Sequence, residues 1–196
     1  MNPVLDTLCY DHANFAKLLN VIEHQTGAVA AGLGADVDVL AKALAYLEGY
    51  PALYHHPLEE ALCARLRPAR SVTSPDIDDI RRQHGAVRQR LERFKRHLDD
   101  LTQDRDGAAD AFVTAAGEFV QAEWEHMELE RCGLFPAAAA VLGEGDWAGL
   151  EEHISSSPDP LFDCEVEGPL ELLHRALLEC DSKQRTIYAL RNVALI

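Results

Sequence analysis

The chain has 196 residues, of which 47% are hydrophobic and 26% charged, a balance typical of one globular domain with a substantial core. Its 18 basic and 33 acidic residues give a formal net charge of −15. A field of this sign repels phosphate backbones and anionic membranes, so the composition argues against nucleic-acid and membrane-surface binding. The sequence has no apolar run long enough to span a bilayer and no signal peptide at its amino end, which predicts a cytoplasmic protein.

The five cysteines are scattered along the chain and never form a C-x-x-C pair. An odd number at such spacings predicts neither a disulfide framework nor a thiolate zinc site. Reduced thiols agree with a cytoplasmic location.

Apolar residues recur at helical spacing through most of the sequence. They predict a first helix from Pro3 to about Ala31, which ends at the glycine-containing turn 32–36. A second helical pattern runs from about Val37 to Leu66. Pro51 and Pro57 are expected to bend this helix, because proline removes a backbone donor and crowds the carbonyl four residues earlier.

Two further helices are predicted after the proline-containing loop 67–75. Ser74 and Pro75 have the residue types of a helix cap and first turn, and the third helix should reach about Asp104. A fourth helix should run from about Ala108 to Leu134 and end near Pro136. No alternating β-branched pattern predicts a strand.

These elements predict an all-α protein with an up-and-down four-helix bundle over residues 1–140. Residues 141–196 contain shorter amphipathic segments and are predicted to be helical. We expect this C-terminal extension to pack on the bundle, on a second copy of the chain, or on a protein partner.

Two helices carry histidine followed four residues later by glutamate, so each pair shares one helix face. The pairs are His55 with Glu59 and His126 with Glu130. About one such pair is expected by chance in this composition, and His56 with Glu60 shows that extra pairs arise. Neither pair is informative alone.

The spacing of four histidines is more informative. His12 and His84 are 72 residues apart and His55 and His126 are 71 apart, as in a duplicated helical hairpin. Sequence-adjacent histidines are also equidistant from the predicted turns, with midpoints at 33.5, 69.5 and 105. In an up-and-down bundle this places all four at one height, nearer to loop 67–75 than to the other turns.

Four imidazoles and two carboxylates in an apolar interior would be costly without a partner, and a cation is the natural one. Imidazole and carboxylate ligands without thiolate suit iron, manganese or zinc. The two shared glutamates favour a carboxylate-bridged pair of ions, although one ion also fits the sequence. The predicted metal ligands are His12, His55, Glu59, His84, His126 and Glu130.

At these residues the sequence resembles the hemerythrin-like, or HHE cation-binding, family over roughly residues 4–140. The matching stretches are Tyr10-Asp11-His12, Tyr54 to Glu60, Gln83-His84, Glu125 to Glu130, and Leu134-Phe135-Pro136. The resemblance implies two non-haem iron ions with an oxo or hydroxo bridge, four terminal histidines, and bridging Glu59 and Glu130. It also favours His55 with Glu59 over His56 with Glu60.

One position departs from the oxygen-carrying members of that family. They have a second histidine four residues after the one matched by His84, and this chain has Arg88 there. The centre should therefore keep open positions, which favours reaction or sensing over tight oxygen carriage. Glu23 or His24 is an alternative fifth ligand.

The resemblance implies a metal-binding protein that binds, senses or reacts with O2, NO or peroxide, or that handles iron. One alternative is a ferritin-like di-iron oxidase, which needs Glu-x-x-His on two helices; Glu123 with His126 fits this pattern, but Glu171 with His174 lies outside the register of the bundle. Another alternative is a regulatory bundle in which the metal is structural and residues 141–196 bind a partner.

Overall fold

A computed structural model describes residues 2–67, 77–163, 165–166 and 168–181. Residues 171–181 are helical, as are seven further segments: α1 (Pro3–Ala30), α2 (Val37–Tyr50), α3 (His56–Leu66), α4 (Ile77–Thr102), α5 (Ala108–Leu129), α6 (Phe135–Val141) and α7 (Glu144–Glu151). No strand occurs in these ranges, and the all-α prediction is confirmed. The predicted cap at Ser74 and Pro75 lies outside the described residues.

The bundle has four rods. Helices α1 and α4 each form one rod, α2 and α3 together form another, and α5 and α6 form the fourth. Helix α1 packs against α2 and α5, and α4 also packs against α2 and α5, which closes a four-sided arrangement. The interior between the rods is where buried side chains from all four meet. Within the described ranges, no helix is both long and apolar enough to cross a membrane.

A π-helical turn lies inside two of the rods. Pro51–His55 joins α2 to α3, and Glu130–Leu134 joins α5 to α6; each closes with an N–H to carbonyl bond five residues back. Pro57 and Pro136 follow these wide turns closely, and the extra residue per turn accommodates their missing donor. The fourth rod therefore continues to Val141 instead of ending near Pro136.

Two apolar clusters fill the bundle, and they differ in size. The larger contains Phe15, Phe94, Phe112 and Phe119 and extends toward the turns at 31–36 and 103–107. The smaller is formed by residues of α1, α3, α4, the second π turn, α6 and α7, among them Leu8, Leu58, Leu62, Ile80 and Leu134. Along the rods, the predicted metal ligands lie near the places where residues of one cluster are followed by residues of the other. This agrees with a site that is off-centre in the bundle.

The C-terminal segment packs against the same bundle. Leu161, Leu173 and Leu177 are buried in the larger cluster, and Leu150 of α7 is buried in the smaller one. Two phenol groups also bind this segment, because Tyr46 donates to Asp159 at 2.5 Å and Tyr10 donates to Asp163 at 2.6 Å. The described part of the tail therefore covers apolar surface that α1 and α2 would otherwise expose.

The larger cluster is predicted to supply much of the folding free energy. Phe94 is fully buried, with ring centroids 5.3 Å from Phe112 and 5.9 Å from Phe119. Phe94→Ala should lower the free energy of unfolding by about 3 to 5 kcal/mol in chemical denaturation, because it leaves a cavity. Leu33→Ala is the control, since Leu33 is 81% exposed and its loss should change stability by less than about 0.5 kcal/mol. Equal effects of the two changes would contradict this view of the core.

Candidate metal centre

The structure brings the six predicted ligand residues into one place. His12 comes from α1, His55 from the end of the first π turn, and His84 from α4. The other histidine, His126, is near the end of α5. Glu59 of α3 and Glu130 of the second π turn lie between them, and the donor atoms form two groups. One group is His12, His55, Glu59 and Glu130; the other is Glu59, His84, His126 and Glu130. Both glutamates belong to both groups, and in each group all donor atoms lie within 4.8 Å of one another.

The carboxylate of Glu59 presents a different oxygen to each pair of histidines. Its Oε1 lies 2.8 Å from His55 Nε2 and 3.9 Å from His12 Nε2. Its Oε2 lies 3.2 Å from His84 Nε2. This is the arrangement in which one carboxylate can bridge two cations.

Glu130 is arranged in the same way from the opposite rod. Its Oε2 lies 3.1 Å from His12 Nε2, while its Oε1 lies 3.2 Å from His126 Nε2 and 3.7 Å from His84 Nε2. All four histidines therefore point their Nε2 atoms at the two carboxylates, and each histidine pair faces one oxygen from each glutamate.

Burial of these carboxylates costs folding free energy unless their charge is compensated. Glu59 and Glu130 are both 0% exposed, and apart from the facing histidine Nε2 atoms their four oxygens have no hydrogen-bond partner in the described structure. His84 Nε2 is buried and equally without a hydrogen bond there. Buried charged oxygens need a counter-charge, and orphaned donor atoms aimed at a common point fit a bound cation. The residues present therefore fit a bound cation.

A third carboxylate, that of Asp11, orients one of the histidines. Asp11, only 3% exposed, accepts a hydrogen bond from His55 Nδ1 at 3.0 Å. Because a carboxylate only accepts, Nδ1 carries the proton of the neutral imidazole, and Nε2 is then the nitrogen available to bind a cation. Histidine metal ligands are commonly oriented by such a carboxylate. The Tyr50 hydroxyl donates to the other oxygen of Asp11 at 3.4 Å.

Sequence reasoning missed this role for Asp11, although an acidic residue directly before a buried histidine was visible. It also missed Gln83, whose Oε1 accepts from His126 Nδ1 at 3.4 Å. Both residues immediately precede a predicted ligand, and each contacts the histidine of another rod. The pattern of adjacent polar and ligand residues could have indicated them only once the rods were paired.

The carboxylates of the site keep two of the histidines protonated when no metal is bound. Burial lowers the pKa of His55, but Glu59 and Asp11 outweigh this and raise it to about 10. For His84, burial is likewise outweighed by Glu130 and Glu59, and the pKa rises to about 9. Although burial opposes it, His55 holds the pKa of Glu59 well below its usual range. Protons thus take the place of a cation between the carboxylates.

Other candidate ligands stand apart from the two groups. Glu23 and His24 are exposed, and they are 11 and 12 residues beyond His12, roughly 16 to 18 Å along the helix. Arg88 is exposed as well, so α4 offers no histidine one turn after His84. The ring of His56 contacts that of His84, with centroids 4.3 Å apart, but His56 belongs to neither group.

Aromatic rings form part of the wall around the site. Phe135 stacks on His12 with centroids 5.4 Å apart, and Phe15 meets the His55 ring edge-on at 5.1 Å. These rings limit the access of water, which strengthens electrostatic interactions inside. Tyr10 and Trp124, which flank the ligands in sequence, are 44% and 41% exposed.

The fold and the site together define a class of protein: a helical bundle whose rods converge on a buried cluster of histidines and glutamates suited to a cation. The profile of the hemerythrin HHE cation binding domain matches residues 4–138. The chain therefore belongs to the hemerythrin HHE cation-binding domain family. Comparisons with curated proteins and with solved structures found no significant match.

Metal binding should release protons. His55 and His84, with pKa values of about 10 and about 9, are protonated at pH 7 in the metal-free protein. An imidazole binds metal only after losing its proton, so we expect roughly two protons to leave per chain. The apparent affinity should rise as the pH is raised from 7 toward 9.

Calorimetric titration with a divalent cation in buffers of different ionisation enthalpy measures this release. The observed heat should change with the buffer in proportion to the protons released. Binding heats that are identical in all buffers would contradict the protonated state of the metal-free site.

Proposed function

We propose that the cluster holds two iron ions bridged by Glu59 and Glu130. His12 and His55 would bind one ion, and His84 and His126 the other. The observation that carries this proposal is the division of each buried carboxylate between the two histidine pairs. A single ion would use only one of the two histidine pairs and one oxygen of each glutamate.

The donor count supports a reactive centre. Each ion would receive two nitrogens and two carboxylate oxygens, which leaves positions free on an octahedral metal for a small ligand. Helix α4 supplies no additional donor at Arg88, because the side chain of Arg88 is exposed. We therefore propose that the centre binds or reacts with O2, NO or peroxide.

The protein's own residues would tune this chemistry. Iron, when bound, supplies reversible electron transfer and a binding position for a diatomic or peroxide ligand. Asp11 keeps His55 in the tautomer that offers Nε2. Glu123, one turn before His126, has its pKa raised to about 7 by burial and by Glu130, so it can exchange a proton near neutral pH.

The alternatives lack such support. A ferritin-like oxidase needs a second Glu-x-x-His pair, but Glu171 is exposed and His174 belongs to neither donor group. We propose that residues 1–140 carry the centre and that the described part of residues 141–196 stabilises it by packing on the bundle. Binding of a second copy or of a protein partner through the tail stays a prediction.

Metal analysis tests the assignment directly. Protein loaded anaerobically with ferrous iron should bind two ions per chain, and His126→Ala should reduce the bound iron to one or none, because only His84 remains at that position. His153→Ala is the matched control, since His153 is exposed and outside both donor groups. Circular dichroism checks that both variants are folded.

A wild-type protein that binds one ion per chain would overturn the paired centre. So would a His153→Ala variant that loses as much iron as His126→Ala.

Reactivity is tested on the same loaded protein. Exposure to O2, NO or hydrogen peroxide should change its near-ultraviolet and visible charge-transfer absorption, because an exchangeable position on the metal accepts the ligand. The His126→Ala variant should show no comparable change. Loaded wild-type protein whose spectrum is unaltered by all three reagents would contradict a reactive function and leave only the metal site.

A further inference from the structure

Three tyrosines form a column beside the candidate centre. Tyr46, Tyr50 and Tyr54 are spaced four residues apart along α2 and the first π turn. The rings of Tyr46 and Tyr50 stack with centroids 5.2 Å apart and an interplanar angle of 7°, and Tyr54 lies 5.1 Å from Tyr50. Three of the chain's five tyrosines are thus in ring-to-ring contact.

The middle of this column touches the environment of the centre. The Tyr50 hydroxyl donates to Asp11 Oδ1 at 3.4 Å, and Asp11 Oδ2 accepts from His55 Nδ1 at 3.0 Å. Phe15 fills the remaining space, with its ring centroid 5.1 Å from His55 and 6.4 Å from Tyr50. Short contacts therefore connect a candidate metal ligand to the aromatic column.

The inner end of the column is paired with a proton acceptor. Tyr46 is 6% exposed and donates to Asp159 Oδ2 at 2.5 Å, and Asp159 is 1% exposed. The other oxygen of Asp159 accepts from the backbone N–H groups of Leu161 and Phe162 at 2.8 and 3.2 Å. Burial and this hydrogen bond raise the pKa of the Tyr46 phenol, which therefore keeps its proton unless an electron leaves the ring.

Docking of the C-terminal segment explains the hydrogen bond of Tyr46, but it does not explain the column. A single tyrosine, like Tyr10 with Asp163, is sufficient to hold a carboxylate of that segment. Stacked phenols between a candidate redox metal and a buried base are what a one-electron path requires.

We propose that Tyr50 and Tyr46 form a one-electron relay to the centre and that Tyr54 is its outlet. This inference rests on the proposed iron pair. Tyr54 is half-buried, so a reductant in solvent reaches the column there. The relay lets the protein reduce hydrogen peroxide with electrons supplied one at a time by a thiol.

The balance of the reaction defines the relay's part. One hydrogen peroxide takes two electrons and two protons to give two waters, and in the proposed reaction the relay would deliver these electrons. An electron leaves Tyr46 through Tyr50, the phenolic O–H bond breaks, and the proton passes to Asp159 Oδ2. A thiol then returns one electron through Tyr54, and Asp159 returns the proton. Two such cycles convert two thiols into one disulfide.

Electron paramagnetic resonance of the iron-loaded, oxidised protein tests the relay. Hydrogen peroxide without thiol should produce a tyrosyl radical signal, and peptide mass spectrometry should locate oxidation at residues of the column. Tyr46→Phe and Tyr50→Phe should each abolish the Tyr46 signal, because phenylalanine keeps the ring packing but is far harder to oxidise. Tyr10→Phe is the matched control and should leave the signal intact, since Tyr10 also binds a carboxylate of the tail but lies outside the column.

Iron content and absorption are measured on every sample first, which separates the two proposals. Variants that hold two irons and respond to peroxide but retain the wild-type radical would overturn the relay and leave the centre standing. Loaded wild-type protein that consumes peroxide without any radical or tyrosine oxidation would do the same. Failure to hold two irons would overturn the centre and the relay with it.

Discussion

The burial of two carboxylates is the constraint on which the rest of this structure depends. Glu59 and Glu130 lie between two apolar clusters and, apart from the facing histidine Nε2 atoms, have no hydrogen-bond partners for their oxygens in the described structure. Such groups are tolerated only where cations or protons compensate their charge. The four surrounding histidines supply that compensation in one of two ways, by carrying protons or by binding metal.

Irregular turns in two of the rods place some of these donor residues at the site. Both π turns contain a predicted ligand, His55 in the first and Glu130 in the second. An extra residue in a turn rotates the side chains that follow, which is a reason why such turns occur at functional sites. The same turns allow helical structure to continue past Pro57 and Pro136, so that apolar residues on the far side of the site remain in the rods.

Apolar periodicity predicted the bundle, and the histidine repeat predicted that four histidines meet in it, because a residue's distance from a turn sets its height. The two glutamates came from the His-Glu pairs, and the choice of Glu59 over Glu60 came with the family resemblance. The π turns were not predictable in this way, since Pro136 indicates the end of a straight α-helix. Asp11 and Gln83 were missed for a related reason: each acts on a histidine of a different rod, and only the packing of rods shows that contact. The column of Tyr46, Tyr50 and Tyr54 is regular in sequence, but its relation to Asp159 depends on how the tail folds back.

We propose that Glu59 and Glu130 bridge two metal ions. X-ray absorption fine structure of the iron-loaded protein tests it most directly, because scattering from one iron by another is visible only when the two are close. We expect an iron–iron distance of about 3 to 4 Å, as in other two-metal sites, with nitrogen and oxygen neighbours around each ion. Loaded protein with two irons per chain but no iron–iron scattering would contradict it.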